Sequence, residues 1–315
     1  MTVATTVRHF TRISDLNAEE LEQLLDLAGR VKEHPTRYEG SLHGRTIACI
    51  FEKPSTRTRV SFAAAAAELG ATAITLSPQE LQIGRGETLA DTARSLSGYC
   101  AAIVVRTFAQ RTVEELAAWA TVPVINALSD EHHPCQALAD LLTIRETRGG
   151  LRGRRLAFLG DGGDNVAHSL LEAGARSGLD VVLGCPPQYA PRARILEDAE
   201  REAANTGASL SVVEDPRAAV TDADAVYADV WASMGEEAEH ETRARALASY
   251  QVTEELMNLA KPDAVFLHCL PAKRGEEVAA AVIDGPRSAV WLQSANRMPT
   301  EAALLLALTH GFRFP

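Results

Sequence analysis

Residues 46–69 read TIACIFEKPSTRTRVSFAAAAAEL. The apolar run at 46–51 is typical of a strand buried in a parallel sheet, and the alanine-rich run after Arg59 is typical of a helix. Ser55 and Thr56 lie between the two runs, and either of them can cap the helix. The stretch therefore predicts a strand, a short turn and a helix, which together form the repeating unit of an α/β fold.

The same alternation of apolar runs and helical patterns continues along the chain and predicts parallel sheets covered by helices. We expect α/β architecture with two α/β domains, each a parallel sheet flanked by helices, and a C-terminal helix. The predicted strands lie at 46–51, 72–76, 102–105, 122–126, 155–159, 180–183, 209–213, 225–227 and 264–267, and the predicted helices lie at 58–69, 88–98, 113–120, 135–148, 165–177, 191–206, 253–259, 276–283 and 300–310.

A chain of 315 residues is too long for most single hydrophobic cores. The pair Gly149-Gly150 follows a long helical pattern and marks a domain boundary. We therefore expect domains at 1–148 and 149–315, with the helix from about residue 297 packing back on the first domain. In such sheets, ligands usually bind beyond the carboxyl ends of the strands.

Composition excludes several classes of function. The net charge of −11 disfavours binding to nucleic acid or to anionic lipid. The chain has no run of 18 uncharged apolar residues, and its start lacks the apolar core of a signal peptide, so we expect neither a membrane span nor secretion. Five scattered cysteines without a Cys-x-x-Cys pair argue against a disulfide framework or a zinc cluster and indicate a reducing, cytoplasmic location.

The turn before the first long helix has the features of a phosphate site. The free amides of the first helical turn carry partial positive charge, and Ser55, Thr56 and Arg57 add hydroxyls and a guanidinium. The alternative is a capped surface helix with a few arginines. Arg59 is rotated from Arg57 by about 200° around the helix, so we expect it to have a structural role.

Two further polar segments follow strands in the first half. Arg106 follows the strand at 102–105, and His132-His133-Pro134-Cys135-Gln136 follows the strand at 122–126. Each is weak alone, because a single arginine after a strand is usually a surface charge. The adjacent histidines lack a third ligand at a supportive spacing, so no metal is expected.

The second half has a glycine-rich turn after the strand at 155–159. The pattern Gly160-x-Gly162-x-x-Asn165 lacks the third small residue of a dinucleotide fingerprint, and no acidic residue follows the next strand. No nucleotide or other cofactor is therefore expected. Asp229 and Cys269 each follow a later strand, although a free cysteine is most often only a small buried apolar residue.

These motifs together resemble those of the aspartate/ornithine transcarbamoylase family. The resemblance rests on Ser-Thr-Arg-Thr-Arg at 55–59, the loop 81–88, His-Pro-x-Gln at 133–136, the segment 229–235 with its Ser-Met-Gly, and His-Cys-Leu-Pro at 268–271. The last two resemble the ornithine-specific branch of the family. The resemblance covers nearly the whole chain.

It implies transfer of the carbamoyl group of carbamoyl phosphate to the side-chain amine of L-ornithine, giving L-citrulline and phosphate in arginine biosynthesis, in a homotrimer whose Gln82 loop reaches a neighbouring subunit. Negative charge builds on the carbonyl oxygen during attack, and fixed donors such as Arg106, His133 and Thr58 would stabilise it. The implied catalytic residues are Arg57, Arg106, His133 and Cys269; carbamoyl phosphate would contact Ser55, Thr56, Arg57, Thr58, Gln82, Arg106, His133, Pro134, Cys135, Gln136, Cys269, Leu270 and Arg297; ornithine would contact Asn165, Asp229, Ser233 and Met234.

Two departures from the family pattern bear on the amine. Asp164 replaces a common asparagine beside the expected site of the ornithine carboxylate, and the segment 298–301, Met-Pro-Thr-Glu, replaces the usual His-x-Gln ending. A transcarbamoylase for putrescine, lysine or N-acetylornithine stays an alternative. Asp229 and Ser-Met-Gly argue against the first and third of these amines, and exclude lysine less firmly.

A non-catalytic paralogue that binds carbamoyl phosphate or partner subunits is a further alternative. Loss of Arg57, Arg106 or His133 would favour it, and all three are present.

Overall fold

The computed structural model describes residues 7–232 and 239–312. They form two compact units. The first contains the described residues up to Cys135 together with those from Arg297 onward, and the second contains Gln136–Asn296. The domain boundary predicted at 148/149 stays a prediction. Within the described ranges, every helix is too short or too polar to cross a lipid bilayer.

The elements alternate between strand and helix, as predicted for an α/β fold. In chain order they are α1 (Ala18–Glu33), β1 (Thr46–Phe51), α2 (Arg57–Glu68), β2 (Thr72–Leu76), α3 (Leu89–Ser97), β3 (Ala102–Arg106), α4 (Gln110–Trp119), β4 (Val124–Leu128), α5 (Pro134–Arg148), β5 (Arg155–Leu159), α6 (Asn165–Ser177), β6 (Asp180–Gly184), α7 (Ala193–Thr206), β7 (Leu210–Val213), α8 (Pro216–Val220), β8 (Ala225–Ala228), α9 (His240–Leu247), α10 (Glu254–Met257), β9 (Val265–Leu267), α11 (Ala280–Ile283) and α12 (Val290–His310).

The first unit contains a parallel sheet of strand order β2-β1-β3-β4. Apolar side chains of the strands form part of its core, and Ile50, Ile103, Val105 and Val124 are fully or almost fully buried. The chain moves from β1 to β2 on one side of the sheet and then to β3 on the other side. The carboxyl ends of β1 and β3 therefore flank the switch point at which parallel sheets usually bind ligands.

The second unit contains a parallel sheet of strand order β7-β6-β5-β8-β9. Here the switch point lies between β5 and β8. The turn 160–165 follows β5, Asp229 follows β8, and His268 follows β9. The candidate residues of the second half are thus brought to one edge of one sheet. The predicted fold class is confirmed, because both sheets are parallel and flanked by helices, and α12 ends the described chain.

Some helices differ from the sequence prediction. α1 was not predicted, yet its start has a capping box, in which Asn17 accepts from the amide of Glu20 and the Glu20 carboxylate accepts from the amide of Asn17. The last helix was predicted to begin at Thr300 and begins at Val290 instead. The predicted start was wrong. Pro299 lies inside the helix, because proline removes a single backbone donor and the helix continues on both sides of it.

Candidate active site

The start of α2 is capped by a hydroxyl in the turn that follows β1. The Thr58 amide donates to Ser55 Oγ at 3.2 Å, while the Thr56 side chain makes no capping bond. Of the two predicted caps, Ser55 is therefore the one used. Arg57 is the first helical residue, so its side chain is attached at the end of the helix that carries partial positive charge.

Arg57 and Arg59 have different surroundings, as the helical rotation predicts. The Arg59 guanidinium lies over the ring of Phe51, 5.2 Å from its centre. The charge of Arg57 instead acts on His133 and lowers its pKa. Arg59 therefore has a structural contact within the unit, and Arg57 belongs to the polar group at the sheet edge.

Arg106 ends β3 and is fixed by backbone contacts. The Glu52 amide donates to the Arg106 carbonyl at 2.8 Å, and the Glu52 carboxylate accepts from the Thr107 hydroxyl. The register of β3 against β4 shifts between Val105 and Arg106. Such an irregularity changes the direction of a side chain at the end of a strand, and here it affects a nearly buried arginine.

Arg297 comes from the C-terminal helix and joins the same group. Its Nη2 donates to Thr58 Oγ1 at 3.3 Å, and its Nε and Nη2 both donate to one carboxylate oxygen of Glu301, at 3.0 and 2.7 Å. Arg297 and Glu301 are both buried. Charge-assisted bonds of this kind fix the plane of a guanidinium.

His133 is the neutral member of the group. Burial lowers its pKa well below the usual value, and the charges of Arg297, Arg106 and Arg57 lower it further. A neutral imidazole can donate one N–H without adding a further charge to an already positive site. We call Arg57, Arg106, Arg297, Thr58 and His133 the cationic cluster.

The other residues predicted for the first substrate lie elsewhere or use their side chains differently. Gln82 is exposed in the loop between β2 and α3. Pro134 is the first residue of α5, a position that suits proline. The Cys135 thiol donates to the Asn126 carbonyl at 3.3 Å, and Gln136 Nε2 donates to Asp140 Oδ1 at 2.8 Å within the second unit. The predicted ligand contacts of these four residues stay predictions.

In the second unit, the turn after β5 closes tightly and leads into α6. A side chain at Gly162 would meet Cys185 Sγ at 2.8 Å and the Tyr189 carbonyl at 2.9 Å, so only glycine fits. Asp164 caps α6 by accepting from the Val166 amide at 2.6 Å, and Asn165 is the first helical residue. A carboxylate thus occupies the helix end where a dinucleotide fold would hold a pyrophosphate.

Asp229 and Cys269 form a hydrogen-bonded pair beyond β8 and β9. The Cys269 thiol donates to the Asp229 carboxylate, and its pKa lies well above the usual value because of burial and then the charges of Asp229, Asp164 and Asp140. Burial also raises the pKa of Asp229, while His268 and the thiol favour its ionised form. The thiol is therefore neutral near pH 7, and the surroundings of the pair are negative. We call Asp229, Cys269 and Asp164 the acidic group.

His268 fixes the loop that carries Cys269. Its amide donates to Gln293 Oε1 at 2.8 Å, its Nδ1 accepts from the Leu270 amide at 2.9 Å, and its Nε2 lies 3.2 Å from Glu277 Oε1. The Nδ1 contact assigns the proton to Nε2, which then donates to Glu277. Leu270 itself is half-buried with a φ of 61°.

Three side chains of the second unit have the proximity of a metal site. Ligand atoms of Asp229, His268 and Cys269 all lie within 4.8 Å of one another. Both ring nitrogens of His268 already make the contacts given above, however, and the Cys269 thiol keeps its proton. Cys269 is thus paired with Asp229, and the ring of His268 is bonded to Leu270 and Glu277.

The remaining predicted ligands of the amine, Ser233 and Met234, lie outside the described residues. Further along the chain, Arg243 of α9 forms an ion pair with Asp161 of the turn after β5. Four residues of the site were not predicted from sequence: Arg243, Glu277, Gln293 and Glu301. For Glu301 a signal was available, because it lies four residues after Arg297 on one helix, which is the spacing of an intrahelical ion pair.

The fold and the two groups define a class of protein: a two-unit parallel α/β protein with arginines gathered at the sheet edge of one unit and carboxylates at the sheet edge of the other. Residues 8–146 match the model of the carbamoyl-P binding domain of aspartate/ornithine carbamoyltransferase, and residues 152–308 match the model of its Asp/Orn binding domain. The chain belongs to the aspartate/ornithine carbamoyltransferase family.

Individual relatives match over nearly the full length. An ornithine carbamoyltransferase of Anoxybacillus flavithermus is 52% identical over 303 residues, which cover 96% of each chain. An anabolic ornithine carbamoyltransferase of Pyrococcus furiosus is 48% identical over 316 residues, covering 100% of each. Among solved structures, an ornithine carbamoyltransferase from Pyrococcus furiosus is similar with a TM-score of 0.93 at 49% identity, covering 98% of this chain and 99% of the other. One from Giardia lamblia has a TM-score of 0.90 at 32% identity, covering 97% and 99%.

Proposed function

We propose that this chain transfers the carbamoyl group of carbamoyl phosphate to the side-chain amine of L-ornithine, giving L-citrulline and phosphate. The observation that carries the proposal is the separation of charge between the units. The first unit has two buried arginines, Arg106 and Arg297, and the half-buried Arg57 around a neutral histidine, and the second has a carboxylate and a neutral thiol. The donor substrate is an anion and the acceptor is a diamino acid, so each unit matches one substrate.

The phosphate group would bind at the start of α2. The amides of the first turn, the Ser55 hydroxyl and the Arg57 guanidinium offer donors to its oxygens. When the bond between the carbamoyl carbon and the bridging oxygen breaks, the electron pair leaves with the phosphate. The same donors stabilise that charge, so no general acid is needed to protonate the leaving group.

The carbamoyl oxygen would accept hydrogen bonds from Arg106, His133 and Thr58. Negative charge develops on this oxygen as the amine attacks, and one fixed donor of this kind is typically worth about 3 kcal/mol in the transition state. The lowered pKa of His133 keeps it neutral at the pH of catalysis. It therefore donates to the oxygen without competing with the arginines for the phosphate.

The acceptor would bind at the acidic group. Asn165 is proposed to hold the α-carboxylate of ornithine. Asp229, Ser233 and Met234 are proposed to hold its α-amino group. Cys269 and Leu270 are proposed to contact the side-chain amine and the carbamoyl carbon. The amine attacks through its lone pair, a C–N bond forms, and the amine proton leaves to solvent or phosphate. Cys269 keeps its proton in this scheme, so no covalent intermediate with the enzyme forms.

The proposal also covers assembly and location. We propose a homotrimer, supported by membership of the family and by the exposed position of Gln82, which would contact the substrate of a neighbouring subunit. Sedimentation velocity at micromolar concentration should give a mass near three chains.

A cytoplasmic location is supported by the five cysteines, all of which lie in described residues and are free thiols.

A panel of amines tests the proposed reaction. Purified protein is mixed with carbamoyl phosphate and, separately, with ornithine, lysine, putrescine, N-acetylornithine or aspartate, and the ureido product is measured. We expect product with ornithine, and kcat/KM for the other amines at least about tenfold lower. Product with another amine but none with ornithine would overturn the assignment of the acceptor, and no product with any amine would overturn the proposed activity.

A further inference from the structure

Glu301 is buried in α12 and faces the cationic cluster. One of its carboxylate oxygens accepts from both Nε and Nη2 of Arg297, and Nη2 also donates to Thr58 of α2. The Ser61 hydroxyl, one helical turn after Thr58, donates to the Thr58 carbonyl at 3.4 Å and favours the ionised form of the Glu301 carboxylate. Glu301 therefore links the C-terminal helix to the helix whose first turn begins the proposed phosphate site.

We propose that Glu301 is a positioning residue that holds the Arg297 guanidinium in the cationic cluster and reduces the net positive charge of the cluster when it is ionised. This inference rests on the proposed function, because it assumes that the cluster binds carbamoyl phosphate. Beyond that function, the affinity for the anion would depend on whether the buried Glu301 carboxyl is ionised.

The surroundings place this ionisation near neutral pH. Burial raises the pKa of Glu301 to about 7, although Arg297 and the Ser61 hydroxyl favour the ionised form. Among the described residues, two thiols on neighbouring elements also interact with Glu301, Cys49 of β1 and Cys135 of α5. Burial raises the pKa of both thiols, and the charge of Glu301 raises it further. Both thiols therefore stay protonated while Glu301 titrates.

The direction of the effect follows from linkage. A bound anion disfavours the negative carboxylate and so raises its pKa, which means that the anion binds more tightly to protein with neutral Glu301. Affinity should fall as pH rises through about 7. If the bound anion raises the pKa by about one unit, the two protonation states differ about tenfold in affinity.

The test measures the dissociation constant of phosphonoacetamide, a stable analogue of carbamoyl phosphate, by calorimetry between pH 6 and pH 8. Wild-type protein is compared with Glu301→Gln, whose amide oxygen can still accept from Arg297 but cannot ionise. Titration of the ligand itself affects both proteins equally and cancels in the ratio of their constants. We expect that ratio to change by up to about tenfold across the range, with the wild type losing affinity as pH rises.

Glu68→Gln is the matched control, because Glu68 ends α2, is half-buried and also has a raised pKa. Its ratio to wild type should stay constant with pH. Ser61→Ala provides a second variant if Glu301→Gln does not fold. It removes a hydroxyl that lowers the pKa of Glu301, so the pH at which affinity falls should move upward.

Parallel pH profiles for wild type and Glu301→Gln, or an unchanged midpoint in Ser61→Ala, would overturn the role of Glu301. A wild type that makes citrulline in either of those cases leaves the proposed function intact. A wild type that neither binds the analogue nor makes citrulline would overturn the proposed function itself.

Discussion

The arginines of the cationic cluster all act on one neutral histidine. Arg57, Arg106 and Arg297 come from three different elements, and each lowers the pKa of His133. Burial of like charges is unfavourable unless an anion compensates them. Glu301 compensates part of this charge, and in our account the phosphate of the donor substrate compensates the rest.

Replacing Arg57 should remove catalysis, while replacing Arg59 should not. Arg57→Ala removes a donor to the leaving phosphate, and we expect kcat/KM to fall at least about 100-fold. Arg59→Ala is the matched control, since its guanidinium lies over Phe51, and its rate should stay within about threefold of wild type. Steady-state kinetics and circular dichroism of both variants check this, and equal rates in the two variants would refute the phosphate assignment.

Cys269 should react slowly with alkylating reagents because its thiol is neutral. The thiolate is the reactive form, and the pKa of Cys269 lies well above the usual value. Asp229→Asn removes a negative charge that contributes to this shift, so more thiolate forms at a given pH and alkylation becomes faster. Mass spectrometry after iodoacetamide treatment at pH 8 follows the rate at Cys269, and a slower rate in Asp229→Asn would contradict the pairing.

At the scale of elements, Asp164 has a structural effect as the cap of α6 and a proposed functional effect through its charge, and two substitutions can separate them. Asp164→Asn should keep the cap, because asparagine caps about as well as aspartate, whereas Asp164→Ala should cost about 1 kcal/mol of stability. Asn at this position also removes a negative charge beside the proposed site of the ornithine carboxylate. We therefore expect a lower KM for ornithine in Asp164→Asn.

Kinetics and urea unfolding of both variants separate the two effects. An unchanged KM in Asp164→Asn would mean that the Asp164 charge does not reach the substrate. Loss of stability in Asp164→Asn to the level of Asp164→Ala would mean that the cap does not depend on the side-chain oxygen.

The strands could be predicted from sequence because each is a short apolar run bounded by polar turns. β1, β2 and β5 have the predicted bounds. Helix ends were harder, as α12 shows, because tertiary packing carries a helix through Pro299. The proposed ligands were found because they follow strands. Glu277 was missed because tertiary packing, and no helical spacing, brings it to His268 nine residues away. Glu301 was missed although its spacing of four residues from Arg297 offered a signal.

At the scale of the whole molecule, the local charge at the proposed donor site is opposite in sign to the net charge of the chain. The chain has a net charge of −11, yet its first unit contains a buried cationic cluster, and the acidic group lies in the second unit. Long-range attraction therefore contributes little to capture of the anionic donor, which depends on local donors with fixed geometry. Membership of the family and the matches over nearly the full chain agree with the proposal that each unit binds one substrate.

The most direct test is a crystal structure with carbamoyl phosphate and L-norvaline, which has the α-amino acid end of ornithine and lacks the attacking amine. Our account predicts the phosphate at the start of α2 with Arg57, the carbonyl oxygen within hydrogen-bond distance of Arg106 and His133, and the α-amino group of norvaline on Asp229. Carbamoyl phosphate bound away from Arg57 and Arg106, or norvaline bound away from Asp229 and Cys269, would contradict it.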